Sequence, residues 1–316
     1  MNHLKELLPS FNSASSTSSA FDVLPSELII LLLEYTHRAS KISILVLVQV
    51  NKFWYRTVTA YAMKHQIDRH IQCCNIALEG HLEVLKWATS YYDDRDWRTC
   101  AYAAKNGHFE ILKWARSNGF YWDYDTCAYA AIGGHLDILK WARSEGCSWT
   151  SKTCEQAALN GHLDILKWAR SNGCDWNSST CAMAAENGHL EVLKWARENG
   201  CTWTSETCAR AASHGHLEVL KWARSNGFEW DSVTCTRAAL NGHLEVLKWA
   251  HENGCPWNSE TCTQAARRGH LEILKWAVSN GCKWDAFTCV SSALRNGHVE
   301  VFQWAQAYIS SESSNE

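Results

Sequence analysis

Thr153-Cys154-Glu155-Gln156-Ala157-Ala158-Leu159-Asn160-Gly161-His162-Leu163-Asp164-Ile165-Leu166-Lys167-Trp168-Ala169-Arg170-Ser171-Asn172-Gly173-Cys174-Asp175-Trp176-Asn177-Ser178-Ser179 is one turn of a 27-residue sentence that the chain repeats. Its Gly-His dipeptide occurs nine times, from Gly80-His81 to Gly297-His298, and eight of the nine run on into Leu-Lys-Trp-Ala. A fixed period of this length means a stacked solenoid, in which each unit buries its apolar face against its neighbours. The 316 residues would otherwise imply about two domains on length alone.

Each unit holds two helices and two stops. Asn160-Gly161 and Asn172-Gly173 read as helix terminators, because Gly and Asn enter the left-handed conformation cheaply just after a helix. Between them lies a helix of about ten residues, on which Leu163, Ile165, Leu166, Trp168 and Ala169 leave only the arc of Asp164 and Lys167 polar. A helix so apolar must be covered on several sides. The shorter preceding helix, Cys154 to Leu159, carries the small pair Ala157-Ala158, which admits close approach of a neighbouring helix. Two helical layers follow. Leucine-rich repeats share this range of periods, but Glu, Leu, Lys, Ala and Arg are strong helix formers and each segment has only one Val or Ile.

Thirty basic against 33 acidic residues, with a pI near 6.6, give no electrostatic footprint for nucleic acid or an anionic membrane. The first nine residues, with Lys5 and Glu6, do not resemble a secretory signal. The apolar runs Leu28 to Leu33 and Ile42 to Val48 are shorter than the roughly 18 residues of a membrane helix. A soluble, intracellular, cytoplasmic chain is expected, with its 15 cysteines as reduced thiols.

Fourteen of those cysteines fall in two registers: Cys73, Cys100, Cys127 and onward to Cys289, and Cys147, Cys174, Cys201, Cys255 and Cys282. Pairing them with the recurrent histidines would make a metal site, but the second register holds Phe at Phe120 and Phe228, and Phe shares only burial with Cys. Equivalent positions in successive repeats also lie roughly 10 Å apart, beyond disulfide reach. The cysteines are therefore expected in the core. His81, His108 and their successors stand where an imidazole can satisfy loose backbone groups at a helix end. The two Trp ladders, Trp87 to Trp304 and Trp122 to Trp284, are expected to be packing residues. No metal, cofactor or catalytic residue is indicated, because ladders of identical residues supply no unique acid, base or nucleophile.

The unit resembles the ankyrin repeat, whose Gly-His-Leu-Glu-Val opening stands here as Gly188-His189-Leu190-Glu191-Val192-Leu193, followed by Gly200. The resemblance covers residues 71 to 309, about nine repeats. It departs in length, 27 residues against 33, and Thr207-Cys208 stands where ankyrins have Thr-Pro-Leu-His. The missing residues fall at the projecting β-hairpin finger, so an all-α solenoid with short or absent fingers is expected. This Trp-rich variant looks like the arrays abundant in amoebae and their large DNA viruses.

Positions that vary between repeats are the candidates for function. Two residues after the first-register Cys come Tyr102, Tyr129, Gln156, Met183, Arg210, Arg237, Gln264 and Ser291. After the Ala-Ala pair come Lys105, Ile132, Leu159, Glu186, Ser213, Leu240 and Arg267. The resemblance implies that the first helix lines the concave surface, and Tyr and Arg are types that anchor interfaces. Tyr102, Tyr129, Gln156, Met183, Arg210, Arg237 and Gln264 are expected to contact a target protein.

The segment before the repeats has another grammar. Asn12 to Ala20 is Ser-rich, so residues 1–20 are expected to be a disordered lead. Leu24-Pro25-Ser26-Glu27-Leu28 opens an aliphatic helix with Pro at its first position; the apolar block Ile42 to Val50 leads into Asn51-Lys52-Phe53-Trp54. Residues 21–62 resemble an F-box, although His37, Arg38 and Lys41 make basic a gap that is usually acidic. That resemblance implies contact of Leu24, Pro25, Leu28, Leu32, Leu45 and Val48 with the Skp-type linker of a cullin-RING ubiquitin ligase. The alternative is a hydrophobic cap for the solenoid, leaving a protein-binding scaffold or decoy. Residues 63–70 are expected to be a linker or cap helix, and 310–316 a disordered tail. The expected protein is a monomeric, non-enzymatic adaptor.

Overall fold

In the computed structural model of the protein, the described residues are 73–89 and 95–313. The disordered lead, the F-box-like segment and the linker expected over residues 1–70 lie outside them, as do Leu24, Pro25, Leu28, Leu32, Leu45 and Val48. The chain divides into two units. Of the first, residues 73–76 and 81–89 are described, including the helix Leu82–Thr89. The second takes in residues 77–80 and the chain from Arg95 onward.

The second unit is an all-helical stack, with no strand among the described residues. The repeat quoted above folds as a first helix, Ser151–Leu159, and a second helix, Leu163–Ser171. The first helix begins three residues before Cys154, where the sequence placed its start. The reason is a cap: Thr150, with extended backbone, accepts a hydrogen bond from the Lys152 amide at 3.3 Å, satisfying one of the free N–H groups of the first turn. Asp123, Asn177, Asp231 and Asn258 cap their helices in the same way. The segment from Gly173 to Asn177, where an ankyrin finger would project, simply leads one helix into the next.

The two stops separate the work assigned jointly to Asn and Gly. Gly161 and Gly173 take φ of +76° and +81°, while Asn160 and Asn172 remain near −100°. The asparagines act through their side chains instead. Asn160 Nδ2 donates to the Gln156 carbonyl at 2.9 Å, and Asn172 Nδ2 to that of Trp168 at 2.8 Å. Both carbonyls lie in the last helical turn, where each also accepts from the backbone N–H of the same asparagine.

Ile165, Leu166 and Ala169 of the second helix, and Cys154, Ala157 and Ala158 of the first, are fully buried. Each large aliphatic side chain so buried contributes about 1.5–3 kcal/mol, and the alanines let neighbouring first helices pack directly on one another. Second helices pack chiefly on the first helix of their own repeat. Stacking is therefore tightest in the first-helix layer.

The recurrent polar residues bind one repeat to the next. His189 Nε2 lies 3.1 Å from the Leu159 carbonyl, thirty residues earlier, and the same bond joins His162 to Ile132, His216 to Glu186, His243 to Ser213 and His270 to Leu240. The imidazole thus serves the helix end of the preceding repeat rather than its own. Its ring also lies over the glycine of that repeat: a Cβ on Gly161 would meet the His189 ring at 2.7 Å, whereas one on Gly173 would meet nothing within 4 Å.

The cysteines are buried, and the two registers meet. Cys174 Sγ donates to the Thr150 carbonyl at 3.4 Å, and Cys201 to that of Asn177. Cys127 stands beside Cys147 and Cys154 beside Cys174, so thiols 20 residues apart are neighbours although equivalent ones are not. Where Phe replaces Cys, Phe228 stacks on Trp203 with centroids 4.2 Å apart. Trp149 meets Trp168 edge to face at 5.7 Å, and the Arg143 guanidinium covers Trp149 at 4.2 Å. The final helix, Val299–Ser313, runs past the expected start of a tail at residue 310, and Tyr308 packs on Trp284 and Trp304.

Two predictions follow from this packing. Gly161→Ala and Gly173→Ala both force a left-handed alanine, at about 1–2 kcal/mol, but only the former also drives a methyl into the His189 ring, adding about 1–3 kcal/mol. Urea unfolding should rank Gly161→Ala as the more destabilised; equal losses would contradict the staple. Stability should also fall at both pH extremes. Burial holds His216 and His270 below their ordinary 6.5, so the unfolded chain binds protons more readily and acidification below 6.5 destabilises. Burial pushes the Cys100 thiol up to about 12, and Cys208 and Cys289 to about 11. Their stabilising effect is complete below the ordinary 9.0 and is lost as pH rises from there through those values, which a urea midpoint measured against pH will show.

Candidate protein-binding face

Each first helix buries its Cys and Ala residues and turns a stripe of i, i+4 and i+7 positions outward. Tyr102, Tyr129, Gln156, Met183, Arg210 and Gln264 occupy the middle of that stripe half-buried, and Arg237 is exposed. The structure thus brings all seven sequence candidates to one face. Ile132, Leu159, Ser213 and Leu240 flank them, also half-buried. Their variability has a physical basis: the His staple uses only the backbone carbonyl at this position, so the side chain is unconstrained by it.

The face changes character along the stack. At one end the rings of Tyr102 and Tyr129 lie 5.7 Å apart, followed by Ile132, Leu159 and Met183. Burial beside Tyr102 and Asp125 raises the Tyr129 phenol above its usual range, so it is un-ionised. Further on, Arg210 is held between Glu186 of the preceding repeat and Glu206 of its own helix, with Nε 2.9 Å from Glu206. Glu186, Glu206, Ala209, Arg210, Ser213, His214 and Arg237 line a depression of about 230 Å³.

The helix-start position, absent from the sequence candidates, completes the face. Asp125 pairs with Lys152 across adjacent repeats at 2.5 Å, Glu206 fixes Arg210, and Glu260 accepts from Gln264 Nε2 at 2.5 Å. Counting four residues back from each candidate would have found these partners. Among the described residues no group of three or more His, Cys, Asp or Glu could hold a metal ion, and no helix is long and apolar enough to cross a membrane.

A family profile for ankyrin repeats in many copies matches residues 154–197, 208–251 and 262–306. No curated protein matches the chain. Solved structures similar to it include the crystal structure of the human ASB11 ankyrin repeat domain, at 18% identity and a TM-score of 0.42, covering 50% of this chain and 84% of that one. The two-helix unit with its Gly-His-Leu opening forms an ankyrin-like helical solenoid, and over those three stretches the chain is similar to ankyrin repeats.

Proposed function

We propose that the protein is a substrate-recruiting adaptor of an SCF-type cullin-RING ubiquitin ligase in the cytoplasm, with residues 21–62 docking the Skp-type linker and the first-helix face binding the protein to be modified. Ankyrin repeats are protein-binding scaffolds, and the recurrent His, Cys and Trp side chains here are engaged in packing. The observation that carries the ligase half is the segment Leu24-Pro25-Ser26-Glu27-Leu28 with Val50-Asn51-Lys52-Phe53-Trp54, an F-box grammar that a plain cap does not require. The mechanism is proximity: tethering raises the effective concentration of a target lysine at the ligase, and the adaptor needs no catalytic residue. The basic gap of His37, Arg38 and Lys41 favours a second reading, a scaffold or decoy in which residues 21–70 only cap the solenoid.

A purified Skp-type linker distinguishes the two. The wild-type chain should retain it, and a Leu24→Ala, Pro25→Ala double variant should release it while its helical circular dichroism is unchanged. Retention by the double variant would overturn the F-box assignment, and failure of the wild type to bind any linker would favour the scaffold.

A further inference from the structure

The first-helix face has a charge pattern that identifies the chemistry of its partner, an inference that rests on that face being the binding surface. Between Trp97 and Arg295, its carboxylates already have partners on the same face: Asp125 with Lys152, Glu186 and Glu206 with Arg210, and Glu260 with Gln264. By contrast, Arg237, Arg267, Arg268 and Arg295 are all exposed, and none pairs with a carboxylate among the described residues. Lys105, exposed at the other end, is likewise without such a partner. Five cations on this face thus lack a carboxylate partner, whereas Glu260 is bonded to a neutral amide and Glu186 and Glu206 share one guanidinium, on a protein whose formal net charge is −3.

The four arginines lie on three successive repeats, Arg237 lining the depression at Arg210 and the other three outside its lining. At about 10 Å per repeat they span roughly 20 Å, the reach of about six extended residues. On the far side of the Arg210–glutamate cluster the stripe carries Met183, Leu159, Ile132 and the Tyr129–Tyr102 ring pair. Guanidinium groups form forked, charge-assisted bonds with carboxylates, and half-buried aromatic and aliphatic side chains anchor large apolar residues.

We propose that this face captures an acidic segment of a partner protein, placing its Asp and Glu carboxylates on Arg237, Arg267, Arg268 and Arg295 and its large apolar residues on the Tyr102 to Met183 end. The occupant is a peptide of mixed character, about as long as the repeats it crosses. Complementary charge favours one direction along the stack, because four unpaired arginines stand at one end and a single unpaired lysine, Lys105, at the other.

The test is selection of a random peptide display library on the immobilised full chain, followed by fluorescence anisotropy with the selected peptides as synthetic probes. Selected sequences should be enriched in Asp and Glu next to aromatic or aliphatic residues. Their affinity should fall with salt, and drop about tenfold or more in an Arg237→Glu, Arg267→Glu variant. Both positions are exposed, and circular dichroism checks that the stack is intact; Arg237→Gln, Arg267→Gln serves where the reversal disturbs folding and should show the same loss. Absence of acidic enrichment, binding unchanged by both variants, or tighter binding of a double-stranded DNA oligomer than of the selected peptides would overturn the proposal. Linker retention, which depends on Leu24 and Pro25, should be unaffected by the arginine variants, so the adaptor reading and this one can fail separately.

Discussion

An imidazole of one repeat reaching a backbone carbonyl of the repeat before it is the contact on which the stack depends. The last carbonyls of a helix have no internal partner, and leaving one buried and unpaired costs about 1–3 kcal/mol. His189 meets that need for Leu159, and its equivalents do so along the array. The bond is possible only because Gly161 has no side chain under the ring. Glycine is required there twice, by a positive φ and by the closeness of the next repeat, whereas Gly173 answers to the backbone alone. That double demand explains why Gly and His recur as a dipeptide although the histidine touches the glycine of the preceding unit rather than its own.

Because the staple takes only a carbonyl, it leaves the side chain at that position free to vary. The same economy recurs elsewhere. Arg170 donates to the Cys174 carbonyl at 2.5 Å while its guanidinium covers Trp176, and Cys174 donates to the Thr150 carbonyl. Inter-repeat cohesion is thus carried by recurrent residues acting on backbone or on one another, and the first-helix stripe is left free to vary. A surface of Tyr, Met, Arg and Gln can be changed residue by residue without loosening the solenoid. The pairing of Arg210 with Glu186 and Glu206 shows the remaining coupling, where adjacent exposed positions fix each other's orientation.

Much of this was legible from residues. The period, the two helices, the glycine stops and the burial of Cys where Phe substitutes for it all follow from local chemistry: chain conformation, helical spacing and shared apolarity. The start of the first helix was misplaced because the cap, Thr150, lies outside the apolar pattern and belongs to a connection that sequence periodicity leaves blank. The role of Asn160 was misassigned for a related reason. Gly and Asn share a reputation for the left-handed region, and only the backbone angles separate a residue that adopts it from one that donates its side-chain amide.

What the sequence determined by itself was the repeat and the face on which variation collects, because both are properties of a single 27-residue unit. Only the tertiary structure decided which residues meet across repeats: His189 with Leu159, Cys154 with Cys174, Asp125 with Lys152, and the arginines left without carboxylates. A periodic sequence looks the same whichever register its copies adopt when they stack. The offset between them is set by packing alanine against alanine and imidazole over glycine in three dimensions.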